Sequence, residues 1–391
     1  MEPPLGKEQI KEERQPFWLA HYGIELGPFR TEHLDFTKHP QPDYGRAPAR
    51  SRPGAQAGNG RRIASNKLRA WSQWSIQRAR YFPTVEDAMW TAALAVLLLG
   101  SPDSVALTRV EVAEGETLHV ALEGAGRPVL VIPGLFGAVE GFSRVGDSLA
   151  GSGYRVLVVE PLGVGSSSRP KHADYTLTAQ AERMARLIRQ FDMQPAIIVA
   201  HSVSAAIGLR LAILHPELVA TVISLEGGPT ETIATPGLRR ALKLAPILKL
   251  LGSGPLRGRI AHYLRDASGD PTWLSDSVVR VYTRGPARDL GATLGALRRM
   301  VDAAEPWALA PALDRIACPV ILVQGLAPHE GGPDQAAREQ MKSIPRFTLA
   351  PLPGVGHYAF EEAPNLVVDV IRHAAPNIVT QTSPRVAWTK L

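Results

Sequence analysis

Five short apolar runs constrain the fold of this chain more than any other feature of its sequence. They are rich in valine and isoleucine and barely alternate with polar residues: PVLVIPG, YRVLVVEP, PAIIVAHS, VATVISLEGG and PVILVQG. Such continuous runs are typical of strands buried on both faces, as in a parallel sheet. Helical patterns at 145–151, 178–191 and 205–215 lie between them. The alternation predicts an α/β fold, with a mostly parallel sheet flanked by helices.

The sheet is expected to begin at Leu107, where LTRVEV and TLHVALEG alternate like a β-hairpin. We assign the α/β core to residues 107–229 and 307–376. The chain has 391 residues and a 45% apolar share, which is enough to bury a large core. Its one cysteine, Cys318, excludes an intrachain disulfide and a metal cluster built from thiolates.

Ser202 stands where the apolar run PAIIVAH passes into a helical segment. A serine at a sharp strand-to-helix turn is the pattern of a nucleophile elbow, written G-x-S-x-G. Here the small flanking residues are Ala200 and Ser204 instead of glycines. The helix that follows directs the positive end of its dipole at the serine, which favours a developing anion. An N-cap role for Ser202 is the structural alternative.

From about Leu107 to Pro376, these motifs and their order resemble the α/β-hydrolase family, in its serine esterase and lipase branch with a cap. VLVIPGLFG resembles the oxyanion loop, with Pro133-Gly134 where the family usually has His-Gly. The resemblance implies two oxyanion donors, the backbone N–H groups of Leu135 and Val203. EPLGVGSS resembles a structural loop of the family, with Glu160 in place of its aspartate.

The resemblance also places the catalytic base at His357. The phrase G-H-x-x-x-x-E-x-P begins at Gly356, where the family has its histidine, last in chain order. The third member of the triad stays open. Glu226, at the end of VISLEGG, is favoured, while Glu330 and Asp334 are alternatives because the usual G-x-x-D aspartate is missing after PVILVQG.

Residues 230–306 form an insertion that is too long for a simple crossover. Amphipathic spacing in LRRALKLAPILKLLG and around 278–282 predicts a helical cap over the site. A cap favours apolar substrates that are shielded from water. Apolar residues of this insertion are candidates for an acyl pocket, with packing inside the cap as the alternative: Ile247, Leu250, Leu251, Trp273 and Leu274.

The first 106 residues differ from the core. Residues 1–62 are rich in proline, glycine and charge, which predicts an extension with little packed structure, and 377–391 form a C-terminal tail. Between Tyr44 and Val85 there are nine basic and no acidic residues, which suits a membrane surface or a solvated arm.

Residues 63–106 are expected to be helical, and they contain the apolar stretch AMWTAALAVLLLG. This stretch is too short to span a bilayer and has the length of an export-signal core, with a cleavage pattern at Ser104-Val105-Ala106. We favour export or membrane association. The alternative is a cytoplasmic protein that keeps this segment as a packed helix.

The sequence therefore predicts a serine hydrolase that cleaves a carboxylic ester of an apolar small molecule through an acyl-serine intermediate, without a metal or other cofactor. The same triad would also serve an acyltransferase, a carbon–carbon bond hydrolase or a cofactor-free peroxidase. A non-catalytic binding protein on the same fold is a further alternative. No nucleic-acid module is recognised, and the sequence does not determine the oligomeric state.

Overall fold

Eight strands form one sheet in the computed structural model, which describes residues 105–374 except 235, 247–249 and 251. The strands are β1 (Ala106–Ala113), β2 (Glu116–Gly124), β3 (Arg127–Ile132), β4 (Tyr154–Glu160), β5 (Ala196–His201), β6 (Val219–Leu225), β7 (Val320–Gly325) and β8 (Phe347–Leu352). Their order across the sheet is β1-β2-β4-β3-β5-β6-β7-β8.

The sheet is parallel except at one edge. The hairpin partners β1 and β2 are antiparallel, and β2 also pairs antiparallel with β4. From β4 to β8 every neighbouring pair is parallel. The predicted fold class is confirmed.

The helices connect the strands and cover the sheet. They are α1 (Ser143–Ala150), α2 (Leu177–Gln190), α3 (Ser204–Leu214), α4 (Pro236–Lys243), α5 (Gly254–Asp266), α6 (Asp276–Tyr282), α7 (Arg284–Arg288), α8 (Leu290–Asp302), α9 (Gln335–Met341), α10 (Ala359–Glu362) and α11 (Pro364–Ala374). Short 3₁₀ turns lie at Val139–Phe142, Pro216–Leu218, Pro271–Trp273 and Ala310–Arg315.

Both faces of the central strands are buried, which explains their continuous apolar runs. In β5, Ile198 packs with residues of α2 and α3 on one face of the sheet. The neighbouring Ile197 and Val199 pack with residues of α1 and α11 on the other face. Ile197, Ile198, Val199 and Ala200 are each less than 1% exposed. Alternate residues of this strand therefore belong to two separate hydrophobic cores, one on each face of the sheet.

The insertion at 230–306 contains helices α4 to α8, in agreement with the predicted helical content. The structure places three of the five candidate pocket residues. Leu250 is 86% exposed, so it faces solvent instead of lining a pocket. Trp273 packs against the rings of Tyr282 and Tyr358. Leu274 lines a different cleft, beside α5, and Ile247 and Leu251 lie outside the described residues.

The predictions for residues 1–62, for 63–104 and for the tail 377–391 lie outside the described residues. This includes the basic segment 44–85 and the apolar stretch 88–100. Strand β1 begins at Ala106, one residue before the predicted start of the core. Among the described residues, no helix combines the length and the apolar character that a bilayer span requires.

Arg210 of α3 is completely buried and binds both ends of the insertion. Its guanidinium lies 2.5 Å from a carboxylate oxygen of Glu231, at the start, and 3.5 Å from one of Glu305, at the end. It also stacks over the ring of Trp307, 4.5 Å from the centroid. Glu305 in turn accepts hydrogen bonds from the N–H groups that open α2, at Leu177 and Thr178. One buried cation therefore fixes where the insertion leaves and re-enters the core.

We expect Arg210→Met to lower the free energy of unfolding by about 3 kcal/mol, because it leaves the buried carboxylate of Glu305 without its cation. Urea denaturation followed by circular dichroism measures this. The control is Arg189→Met, which breaks an exposed ion pair with Glu217 and should cost at most about 1 kcal/mol. Equal effects of the two substitutions would contradict the anchoring role of Arg210.

Candidate active site

Ser202 follows the last residue of β5 and has a left-handed backbone, with φ of 56°. Its N–H donates a hydrogen bond to the carbonyl of Leu225, the last residue of the neighbouring strand β6, at 2.8 Å. Helix α3 begins two residues later. The serine is thus held at a sharp strand-to-helix turn in a conformation that costs an L-residue about 1–2 kcal/mol. This is the geometry predicted for a nucleophile elbow.

Ser204, the residue that departs from the glycine of the elbow pattern, has a defined partner. Its hydroxyl donates a hydrogen bond of 2.7 Å to the carbonyl of Pro133, in the loop after β3. That loop approaches the elbow closely, since a Cβ added at Gly134 would lie 3.2 Å from the Cβ of Ser202. The substitution of glycine by serine therefore joins the two loops that the sequence assigned to the nucleophile and the oxyanion donors.

Leu135 and Val203 both line a narrow cleft. Neither of their backbone N–H groups donates to an acceptor within the described part of the chain. The cleft wall is mainly apolar, and its side chains come from the core, from α3 and from the insertion: Val164, Leu177, Ile207, Ile233 and Met300. Two free donors therefore border a space suited to an apolar group.

His357 lies opposite the serine, with Nε2 3.1 Å from Ser202 Oγ. Its side chain is only 3% exposed. Its backbone is fixed at two points. Its N–H donates to the carbonyl of Ala267 in the insertion at 2.8 Å, and its carbonyl lies 3.0 Å from Nε2 of His201.

His201 is buried and supports the backbone of His357. Burial, together with the charge of nearby His357, holds the pKa of His201 well below its ordinary value. The ring is therefore neutral, and its Nε2–H donates to the His357 carbonyl. The His201 side chain therefore acts on the backbone of His357.

Glu226 occupies the end of β6 as Ser202 occupies the end of β5. Its backbone is also left-handed, with φ of 52°, and its N–H donates to the carbonyl of Val323 at 2.9 Å. One carboxylate oxygen accepts a hydrogen bond from the N–H of Gly325. The other lies 3.9 Å from Nδ1 of His357 and 3.2 Å from Nε2 of His329.

The alternative carboxylates both lie on exposed residues. Asp334 is exposed and caps α9, where it accepts the N–H of Ala337 at 2.8 Å. Glu330 is exposed as well, and its backbone N–H approaches the carbonyl of Asp266 at 3.4 Å. Of the sequence-predicted acids, the structure brings Glu226 to His357.

Two consecutive carboxylates attach the histidine loop to the insertion. Glu362 accepts three backbone N–H groups, from Gly269 and Asp270 of the insertion and from Gly356 beside the histidine, at 2.9–3.0 Å. Glu361 accepts the hydroxyl of Tyr282 at 2.8 Å and pairs with an arginine of α1. Burial raises the pKa of Glu361, and these two partners oppose that rise.

Sequence reasoning did not assign a role to Ser204, Glu362 or His329. Glu362 is the glutamate of the G-H-x-x-x-x-E-x-P phrase, so the phrase itself was a signal. Ser204 had been noted only as a departure from the elbow pattern. His329 had no signal, because its partner Glu226 lies 103 positions earlier. Within the described residues, Glu226, His329 and His357 form a group with one nitrogen or oxygen donor each, all within 4.8 Å of one another.

Comparison with known proteins relates this chain to the α/β hydrolase fold. Residues 127–244 match the profile of the family described as the α/β hydrolase fold. A candidate carbamate hydrolase of Serratia proteamaculans is 31% identical over 127 residues, which cover 32% of this chain and 46% of that protein. The chain thus aligns with less than half of the length of this relative.

Two other similarities extend further along the chain. A candidate non-haem bromoperoxidase of Mycobacterium tuberculosis is 28% identical over 62% of this chain and 92% of its own length. The crystal structure of a candidate α/β hydrolase from Nostoc sp PCC 7120 has a TM-score of 0.58 and 21% identity. It covers 71% of this chain and all of its own.

We predict that Ser204→Ala loosens the loop after β3. Losing one buried hydrogen bond corresponds to about 1 kcal/mol, or roughly a fivefold faster hydrogen exchange of the peptide covering residues 133–139. Exchange measured by mass spectrometry tests this. Ser343→Ala, which removes an exposed hydroxyl bonded to Gln340, is the control and should leave that peptide unchanged. Unaltered exchange in Ser204→Ala would show that the loop does not need this bond.

Proposed function

Because this chain belongs to the α/β-hydrolase fold superfamily, we propose that it is a serine hydrolase that cleaves a carboxylic ester of an apolar small molecule. The observation that carries the proposal is the distance of 3.1 Å between Ser202 Oγ and His357 Nε2 at a left-handed strand end. A serine hydroxyl becomes a nucleophile when a neighbouring base accepts its proton.

In the first step, Ser202 Oγ attacks the ester carbonyl carbon while His357 Nε2 accepts the hydroxyl proton. The negative oxygen of the tetrahedral intermediate is held by the N–H groups of Leu135 and Val203, which are free to donate. Each such donor typically lowers the barrier by about 3 kcal/mol. His357 then protonates the leaving alcohol, and water hydrolyses the acyl-serine by the same sequence of steps.

Glu226 completes the proposed triad by accepting the Nδ1–H of His357. Its carboxylate fixes the tautomer of the ring and stabilises the imidazolium that forms during the reaction. The distance of 3.9 Å is longer than a hydrogen bond. Such contacts are commonly long in the free enzyme and shorten when substrate binds.

The substrate class follows from the cleft beside the proposed oxyanion donors. Its aliphatic lining suits an apolar acyl group. Ile233 and Met300 come from the insertion, so the insertion contributes to this wall and acts as a cap.

A cofactor-free peroxidase is the second candidate, on the same three side chains. It is favoured by the similarity to the candidate bromoperoxidase of Mycobacterium tuberculosis. An acyltransferase or a carbon–carbon bond hydrolase would use the same acyl-serine chemistry. Product analysis with water, alcohols and hydrogen peroxide as acceptors distinguishes these activities.

The proposal predicts that a fluorophosphonate probe labels the wild-type protein and that p-nitrophenyl esters of apolar acyl chains are hydrolysed. Both signals should be lost in Ser202→Ala, because the nucleophile is absent. Ser343→Ala is the matched control and should behave like the wild type. A folded wild-type protein that is not labelled would instead support a non-catalytic binding protein.

We expect Glu226→Gln to lower kcat by about 10³- to 10⁴-fold, because the amide favours the wrong tautomer of His357. Steady-state kinetics on the preferred ester measures this. Glu330→Gln and Asp334→Asn are the controls and should keep near-normal turnover, since both carboxylates are exposed. Near-normal turnover in Glu226→Gln would move the role of the acid to one of these two residues.

A further inference from the structure

Three donor atoms converge on the side of His357 that faces away from Ser202. Glu226 Oε2 lies 3.2 Å from His329 Nε2 and 3.9 Å from His357 Nδ1. All three donor atoms lie within 4.8 Å of one another, and none of the three side chains is more than 7% exposed. The proposed triad needs only two of these groups.

The hydrogen bonds of His329 require a cation near its second nitrogen. Its Nδ1 lies 2.7 Å from the carbonyl oxygen of Ala327, which only accepts, so Nδ1 carries the hydrogen. In the neutral ring, the lone pair of Nε2 then faces Glu226 Oε2, which is also an acceptor. Two acceptors 3.2 Å apart repel each other unless a proton or a metal ion lies between them.

His357 supplies the third donor. Its Nδ1 is buried and has no hydrogen-bond partner among the described residues. Leaving such an atom unpaired typically costs about 1–3 kcal/mol. The other ring nitrogen already contacts Ser202, so Nδ1 is available to a ligand in the resting protein.

Two glycines of the loop that follows His329 lie over these atoms. Gly331 and Gly332 have φ values of 101° and 76°. A Cβ at Gly331 would lie 2.9 Å from His357 Nδ1, and one at Gly332 would collide with Glu226 Oε2. The two glycines therefore let the backbone close over the donors without filling the space between them.

We propose that Glu226, His329 and His357 bind one divalent cation of the zinc class. Two imidazole nitrogens and one carboxylate oxygen suit Zn²⁺, whereas Mg²⁺ and Ca²⁺ prefer oxygen ligands alone. The bond from His329 Nδ1–H to a backbone carbonyl is the support that metal-binding histidines usually have.

The site regulates the proposed hydrolysis, and this consequence rests on the proposed function. A cation on Nδ1 of His357 leaves the ring hydrogen on Nε2, where it points to Ser202 Oγ. The ring then cannot accept the serine proton, and Glu226 is occupied by the metal. Metal binding and catalysis exclude each other, so Zn²⁺ acts as a reversible inhibitor.

Calorimetric titration of Zn²⁺ into full-length, chelator-treated Ser202→Ala protein tests the site without catalysis. We expect one equivalent of Zn²⁺ to bind. Adding His329→Gln should abolish this binding or weaken its affinity by at least about tenfold. His262→Gln, at a surface histidine beside Asp266, is the matched control and should not change it. Mg²⁺ should give no signal. If His329→Gln does not fold, as judged by circular dichroism, His357→Gln in the same background must show the loss.

In the wild type, Zn²⁺ should abolish ester hydrolysis and a chelator should restore it. The Zn²⁺ concentration that halves the rate of hydrolysis should be at least about tenfold higher for His329→Gln than for the wild type, with each rate compared with that of the same protein without Zn²⁺. The metal site is refuted if Ser202→Ala binds no equivalent of Zn²⁺, or if His329→Gln binds it undiminished. A wild type that binds Zn²⁺ but hydrolyses no ester would refute the proposed function and leave the site standing.

Discussion

The proposed catalytic geometry depends on two left-handed residues at the carboxyl ends of adjacent parallel strands. Ser202 and Glu226 have φ values of 56° and 52°. Each is stabilised by a hydrogen bond from its own N–H to the next strand, at Leu225 and Val323 respectively. Gly227 has no side chain, and a Cβ there would collide with the Ser202 carbonyl. The register of β5, β6 and β7 therefore determines how far apart the nucleophile and the acid lie.

The histidine is positioned by different means. His357 lies in a loop after β8, and its backbone is bonded to Ala267 of the insertion and to the ring of His201. Glu362 collects N–H groups from both the loop and the insertion. The sheet thus fixes two members of the proposed triad, whereas the third depends on contacts with the insertion and with His201.

The sequence predicted the sheet well because its signals are local. The continuous run before Ser202 indicates a buried strand and the small residues after it a helix, and both are present. Which apolar residues of the insertion are buried was not determined by the sequence, because amphipathic spacing does not say which face of an inserted helix meets the core. Leu250 is the clear case, being exposed.

Contacts between distant positions could not be predicted from the chain alone. Ser204 reaches Pro133 across 71 positions, and His329 reaches Glu226 across 103. Neither hydroxyl nor imidazole carries a periodic signal that identifies its partner. The choice of Glu226 over Asp334 was likewise open in the sequence, because both follow core strands. The structure separates them by burial and by the capping role of Asp334.

The anchoring of the insertion by Arg210 limits how this part of the chain can change. The two ends of the insertion, at Glu231 and Glu305, both contact the buried guanidinium of Arg210 on the core helix α3. Any segment between Glu231 and Glu305 therefore begins and ends beside Arg210. Recombination or lengthening of that stretch can therefore keep its two attachment points on the core, provided that the contact of Ala267 with His357 is retained.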